Sequence, residues 1–249
     1  MNKHSNKEFV FGIRAIIETI QSDKEIDKLF IQKNLSNPLI KELVDTARKY
    51  RIPFQQVPIE KLNRITRKNH QGAIAFISSI QYGSLDNVIS EAFQRGKEPL
   101  LLLLDRITDV RNFGAIARTA ECAGVDAIIV PARGGAAINS DAMKTSAGAL
   151  NYIPVCREDN LKNTIRYLKD SGIKVIGCTE KTDTNIYSVD YRQPVCLILG
   201  SEEDGISGEY LRLCDEKGRI PLTGNIDSLN VSVSAAIIVY EAIRQRTMR

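Results

Sequence analysis

Histidine is nearly absent from this chain: His4 and His70 are the only two. A nucleophilic cysteine needs a base beside it, usually histidine, and transition-metal sites draw on clustered histidine and cysteine. The five cysteines (Cys122, Cys156, Cys178, Cys196 and Cys214) contain no CxxC pair, and no carboxylates stand at ligand spacing. Thiol catalysis is therefore not expected, and no metal is expected. An odd cysteine count without a pairing pattern reads as free, mostly buried thiols in a reducing compartment. Apolar runs fall well short of the roughly 20 residues a membrane helix needs. The polar start, Met1 to Lys7, has no apolar signal core. The expectation is a cytoplasmic protein without a membrane partner, or one in an organelle matrix if a targeting segment was removed. No GxGxxG follows the first buried strand, so an ordinary dinucleotide site is not expected. Internal repeats and low-complexity tracts are also missing.

What is present is a globular composition, 43% hydrophobic over 249 residues, enough for one large or two modest domains. The net charge of +4 is unevenly spread. Residues 1–98 hold 16 basic and 11 acidic side chains, whereas 99–249 hold 18 and 19. Within 41–70 there are 8 basic against 3 acidic. A polyanion should meet the N-terminal part first. Charge alone is equally compatible with a solvated helix face.

Periodicity predicts a small α/β unit over 1–80. Helices fall at Gly12–Ile20, Pro38–Tyr50 and Ile59–Ile65, and strands at Lys28–Gln32, Ile52–Val57 and Gly72–Ser78. Residues 81–98 are polar and read as a linker, with Leu85–Gln94 as a possible linking helix. From residue 99 the pattern is again α/β. Strands are predicted at Pro99–Leu104, Ala127–Val130, Ile173–Cys178, Val195–Leu199 and Arg219–Leu222. Helices are predicted at Asn112–Ala123, Asp141–Leu150, Asn160–Ser171 and Ser228–Gln245. The unbroken leucines of the first strand suit a parallel sheet covered on both faces.

In such sheets ligands bind beyond the carboxyl ends of the strands. Thr179, Gly200 to Glu202, and Gly224 to Ser228 all follow predicted strands directly. Ile220 to Arg246 reads as a strand end, a polar turn, and a helix apolar on nearly every side. Such a helix is expected to be buried. Ser228, Asn230, Ser232 and Ser234 in its first turns would then need partners, either as caps or toward a ligand. Gly200 and Gly205 read as turn glycines, or, at Gly200, as a place where a ligand could approach the backbone. Arg118 sits off the centre of an apolar helical stripe and could simply pair with Glu121. Asn112 could be a helix N-cap. His70 reads as structural.

Three segments change the weight of these readings. Asn112-Phe-Gly-Ala-Ile-Ala-Arg-Thr-Ala-Glu-Cys-Ala-Gly124 resembles the first motif of the SpoU (TrmH-like) RNA 2′-O-ribose methyltransferases of the SPOUT superfamily. Leu197-Ile-Leu-Gly-Ser-Glu-Glu-Asp-Gly-Ile-Ser207 resembles the second, and Ile220 to Arg246 the third. Phe9 to Glu18 and Asn69-His-Gln-Gly-Ala73 resemble the ends of the ribosomal-protein-like RNA-binding domain that precedes the catalytic domain in one branch.

The resemblance implies an RNA substrate-binding domain over 1–80 and a methyltransferase domain over 99–249 with a deep trefoil knot. It also implies S-adenosyl-L-methionine as cofactor and a homodimer formed through the C-terminal domain. The catalytic positions it implies are Asn112, Arg118, Glu202, Ser228 and Asn230. The cofactor positions are Thr179, Leu199, Gly200, Ile220, Leu222 and Leu229. Arg118 would hold the phosphate next to the reacting ribose and orient its 2′-oxygen, beside substrate held partly by the partner chain. Glu202 would either fix Arg118 by an ion pair or cap the following segment. The two-domain form resembles the branch that methylates a guanosine of large-subunit (23S) rRNA. A tRNA ribose methyltransferase and a non-catalytic RNA-binding ribosome-assembly factor are the alternatives. A small-molecule enzyme would leave the basic N-terminal domain without a purpose.

Overall fold

The computed structural model describes residues 9–22 and 24–248; His4 and the polar start lie outside the described residues. The chain divides into two compact units, residues 1–81 with 137–140, and residues 82–136 with 141–249.

Unit 1 runs β1 (Phe9–Phe11), α1 (Ile13–Gln21), β2 (Ile26–Gln32), α2 (Pro38–Lys49), β3 (Phe54–Val57), α3 (Ile59–Ile65) and β4 (Ala73–Ile77). Its sheet has the order β1-β4-β2-β3, parallel only between β2 and β3. α1 buries Ile13, Ile16, Ile17 and Ile20, the spacing that puts one helical stripe on a sheet. α2 starts where the Asn37 side chain accepts from the Ile40 N–H, with Pro38 at the first helical position. Phe30, Val57, Leu62 and Ile74 form a second cluster. β1 was not expected; it pairs along β4 with Phe9 opposite Phe76.

Unit 2 runs α4 (Leu85–Gln94), β5 (Leu100–Leu104), α5 (Val110–Cys122), β6 (Ala127–Pro131), α6 (Ser140–Thr145), β7 (Val155–Glu158), α7 (Leu161–Asp170), β8 (Lys174–Cys178), β9 (Val195–Leu199), α8 (Gly208–Leu211), β10 (Glu216–Gly218) and α9 (Val231–Thr247). All six strands are parallel, in the order β10-β8-β9-β5-β6-β7. Every residue of β5 and β9 is buried, as unbroken apolar strands covered on both faces should be. Leu101, Leu103, Ile129, Val175 and Ile198 share one core with Leu161, Ile165 and Leu168 of α7. Leu85 and Ile89 of α4 belong to the same core, so the stretch read as a linker carries a helix of this unit.

Several expectations need correction. The helix expected over Asp141–Leu150 stops at Thr145, because Ala147 and Gly148 take left-handed backbone with φ of 51° and 86°; a short 3₁₀ turn, Ala149–Asn151, follows. The last strand is Glu216–Gly218, not Arg219–Leu222. Arg219 only bridges to Asn185, and Pro221 has no N–H to extend a ladder. β7 and the four-residue α8 were not foreseen. The final helix begins at Val231, three residues later than expected, and residues 221–230 are all exposed.

Nor is α9 buried all round. It buries Val231, Ala235, Ile238, Val239 and Ala242, and lies against α5, but Val233 and Tyr240 remain 46% and 51% exposed. Its last turn is tied down by Arg246. That guanidinium donates to the backbone carbonyls of Glu98 (2.6 Å), Pro99 (3.1 Å), Tyr191 (2.9 Å) and Gln193 (2.7 Å). These are the segments that feed β5 and β9.

Candidate active site

A cavity of about 920 Å³ opens beyond the carboxyl ends of β8 and β9, where open α/β sheets place ligands. Thr179, Leu199, Gly200, Ile220, Leu222 and Leu229 all line it, as do Glu202, Ser228 and Asn230. Asn112 and Arg118 do not. The walls mix apolar side chains with backbone and hydroxyl groups and with charged side chains, among them Glu180, Lys181, Asp204 and Asp227. Leu222 and Leu229 are left 41% and 38% exposed on them, apolar surface that a bound ligand would cover.

Two turns shape the walls. After β8, Thr179 is buried, its N–H donating to the Gly218 carbonyl (3.0 Å) and its hydroxyl accepting from the Lys181 N–H (3.2 Å). After β9 the chain turns back at Ser201–Gly205 so tightly that a Cβ on Gly200 would lie 2.0 Å from the Gly205 carbonyl carbon. Gly200 is therefore required by its own loop, while its backbone still lies on the cavity lining. Gly205 (φ 70°) is a turn glycine.

That loop is held from beneath by two residues the sequence reading passed over. Asp105, 2% exposed, accepts from the Ser207 N–H (2.7 Å) and from the Arg106 Nε (3.1 Å). Arg106, in left-handed backbone (φ 57°), reaches the Asp204 carboxylate (3.0 Å) and the Gly205 carbonyl (3.1 Å). These contacts, led by the hydrogen bond to Asp105, raise the Arg106 pKa. The signal was available: two charges stand directly after five buried leucines, at a carboxyl strand end.

One hydrogen-bond network joins the three sequence motifs. Asn112 donates through Nδ2 to Glu202 Oε1 in a short contact. Asn230 Nδ2 donates to Asn112 Oδ1 (3.1 Å) and to Glu202 Oε1 (3.2 Å). Asn230 Oδ1 accepts from the N–H and hydroxyl of Ser232 (2.9 and 2.6 Å). Asn230 is thus the N-cap of α9, and Ser228 is not. Asn112 is not an N-cap either: Asp109 caps α5, accepting from the N–H groups of Arg111 and Asn112. Asn112 sits inside the first turn with its amide free to face Glu202.

Arg118 stands apart. It is exposed, and among the described residues its guanidinium has neither the ion pair to Glu121 nor the one to Glu202 that the sequence suggested. Six residues beyond Asn112 on one helix, it falls about 240° around the axis, away from the network. Cys178 lines the cavity, but burial pushes its thiol pKa well up, so it stays neutral and is no nucleophile. His70 lies in unit 1 with both ring nitrogens engaged. Nδ1 accepts from the Gly72 N–H (3.0 Å) and Nε2 meets Asn63 Oδ1 (2.9 Å). Among the described residues no cluster of histidine, cysteine, aspartate or glutamate could hold a metal ion.

Residues 99–240 match the family model described as the SpoU rRNA Methylase family, and residues 9–83 match RNA 2′-O ribose methyltransferase substrate binding. A Bacillus subtilis protein named as a TrmH family tRNA/rRNA methyltransferase is 33% identical, covering 96% of both chains. A tRNA/rRNA methyltransferase of Synechocystis is 36% identical over 96% of this chain and 63% of its own. Among solved structures, the SpoU methyltransferase AviRb of Streptomyces viridochromogenes, in complex with AdoMet, superposes with a TM-score of 0.62 at 26% identity. It covers 97% of this chain and 91% of its own.

Proposed function

This chain belongs to the SpoU rRNA methylase family, and from that premise we propose that it methylates the ribose 2′-oxygen of a guanosine in large-subunit (23S) rRNA. It is an S-adenosylmethionine-dependent RNA 2′-O-methyltransferase; the choice of RNA and nucleotide is the proposal. The observation that carries the reading is the Asn112–Glu202–Asn230 network at the cavity wall, where residues far apart in sequence meet. The two-unit organisation, with a basic stretch in unit 1, supports a large structured RNA as substrate.

S-adenosylmethionine supplies a methyl group on a positively charged sulfur. Leu199, Ile220, Leu222 and Leu229 offer the apolar walls for it, and the backbone at Thr179 and Gly200 offers polar groups for an adenine edge. Glu202, held by two amides, keeps a carboxylate beside that cavity. Asn112, Asn230 and Ser228 stand where a ribose could be oriented. Arg118 is assigned the adjacent phosphate. A guanidinium has five donors and no acceptor, so it orients the 2′-oxygen through that phosphate and does not take its proton.

Within one chain Arg118 lies off the cavity. We therefore assign a homodimer through unit 2, in which Arg118 of one copy completes the other copy's site. The apolar Val233 and Tyr240, exposed on α9, support that face. The same reading includes the trefoil knot, with α9 drawn back over α5 and Arg246 anchored at the entry to β5, and a cytoplasmic site of action.

The test is transfer of labelled methyl from S-adenosylmethionine to unmodified 23S rRNA and to tRNA, with wild type and Arg118→Ala. Label on rRNA ribose, lost in the variant, is the expected result. Label on tRNA alone would overturn the target and keep the chemistry. A solved tRNA-modifying TrmH/SpoU enzyme of A. aeolicus, 30% identical over 65% of this chain with a TM-score of 0.56, makes that arm necessary. RNA binding without any label would mean a non-catalytic assembly factor.

A further inference from the structure

Unit 1 contains a second cavity, of about 450 Å³, that no step of methyl transfer uses. Ile13, Leu35, Leu39 and Ile59 give it apolar walls, and Lys68 to Gly72 form one side. The first turn of α1 is already closed there, because the Gln71 side chain accepts from the Ile13 N–H (3.2 Å). The buried His70 fixes the same turn through Asn63 and Gly72. The turn is thus rigid. Two primary amides on the lining are nevertheless left over: among the described residues the side chains of Gln32 and Asn69 have no hydrogen-bond partner. Lys61, Arg64, Arg67 and Lys68 lie on α3 and the segment after it, with Glu60 the only acid between 59 and 70.

We propose that this cavity is a base-binding subsite, taking one unstacked nucleobase of the RNA while Arg67 and Lys68 hold the backbone on either side of it. The proposal rests on the assignment of unit 1 to RNA substrate binding. A nucleobase has the required chemistry: two apolar faces for the aliphatic walls, and an edge whose adjacent donor and acceptor match a primary amide. The cavity is near the lower end of small-ligand sites, enough for a base and too small for a folded peptide. The positive rim selects a polyanion over a neutral metabolite.

The probe is a single-stranded RNA decamer of mixed sequence, compared with the same decamer carrying one central abasic residue. Binding to the full chain is measured by fluorescence anisotropy. Wild type should bind the intact decamer about tenfold more tightly than the abasic one. Ile59→Trp, which fills the mouth from an exposed position, should abolish that difference, and Asn69→Ala should reduce it. Arg67→Ala with Lys68→Ala should weaken both decamers equally and flatten the salt dependence. Equal binding of the two decamers by wild type would overturn the subsite and leave unit 1 an electrostatic RNA binder. A preference for the base that survives Ile59→Trp would place the base elsewhere and also overturn it. Failure to bind either decamer would remove the RNA assignment of unit 1 and the subsite with it.

Discussion

At Gly200 the smallest side chain meets the tightest space in the catalytic unit. A methyl group there would overlap the Gly205–Ile206 peptide, which is backbone and cannot swing away. Gly200→Ala should cost about 3 kcal/mol, roughly 6–12 °C in melting temperature, as overpacked sites do. A variant melting within 2 °C of wild type would show that the loop yields. Arg118 is the opposite case. It is exposed and, among the described residues, unpaired, so Arg118→Ala should leave stability within about 0.5 kcal/mol. Methyl transfer should fall about 100-fold or more through lost positioning. Calorimetry beside a methyl-transfer assay separates the two effects. Nine of the eleven positions named from the motifs lie on the cavity lining, because family motifs name positions; Asn112 and Arg118 do not, and charged lining residues such as Lys181 and Asp227 were not named. Sequence alone also missed Asp105 and Arg106, whose part is to hold a loop. Their contacts at Asp204, Gly205 and Ser207 lie about a hundred residues on, and no local pattern marks such a pairing.

Among elements, α9 repays attention because its charge is buried inside an apolar stripe. Glu241 is 6% exposed and accepts from Arg244 (2.8 Å at each oxygen) and Gln245 (2.7 Å). The Arg244 hydrogen bonds outweigh burial and hold its carboxyl below the ordinary glutamate range. A depressed carboxylate adds stability above its unfolded pKa, and that stability is lost as pH falls through the folded value. Glu241→Gln should therefore lower the melting temperature by about 3 °C at pH 7. The gap should close once the pH is below both pKa values, and melts from pH 7 down to 3 would detect a gap that fails to narrow. Val195–Leu199, buried at every residue, and Ile59–Ile65, opened by Pro58, were placed at their observed limits. Other elements were misplaced where a single residue decided. Ala147 in left-handed backbone cut one helix short, and Pro221 kept the last strand from running on. Neither outcome follows from hydrophobic period.

For the molecule as a whole the proposed composite site makes a prediction that a single-chain site does not. Co-expressed Arg118→Ala and Glu202→Ala chains, each inactive alone, should recover about a quarter of wild-type activity, because a mixed dimer carries both lesions in one site and none in the other. No recovery in verified mixed dimers would place Arg118 in its own chain's site. Arg246 has a different reach. Its guanidinium closes on four carbonyls at the entries to β5 and β9, yet it is synthesised after both of those strands. Unit 1 can complete its sheet while the ribosome is still at work, once β4 emerges. Unit 2 has less freedom: its first strand gains its second sheet partner only with β9, and the entry to it is latched only when residue 246 has been made. Of the two halves, the catalytic one is completed last, and its apolar strands wait the longer for cover.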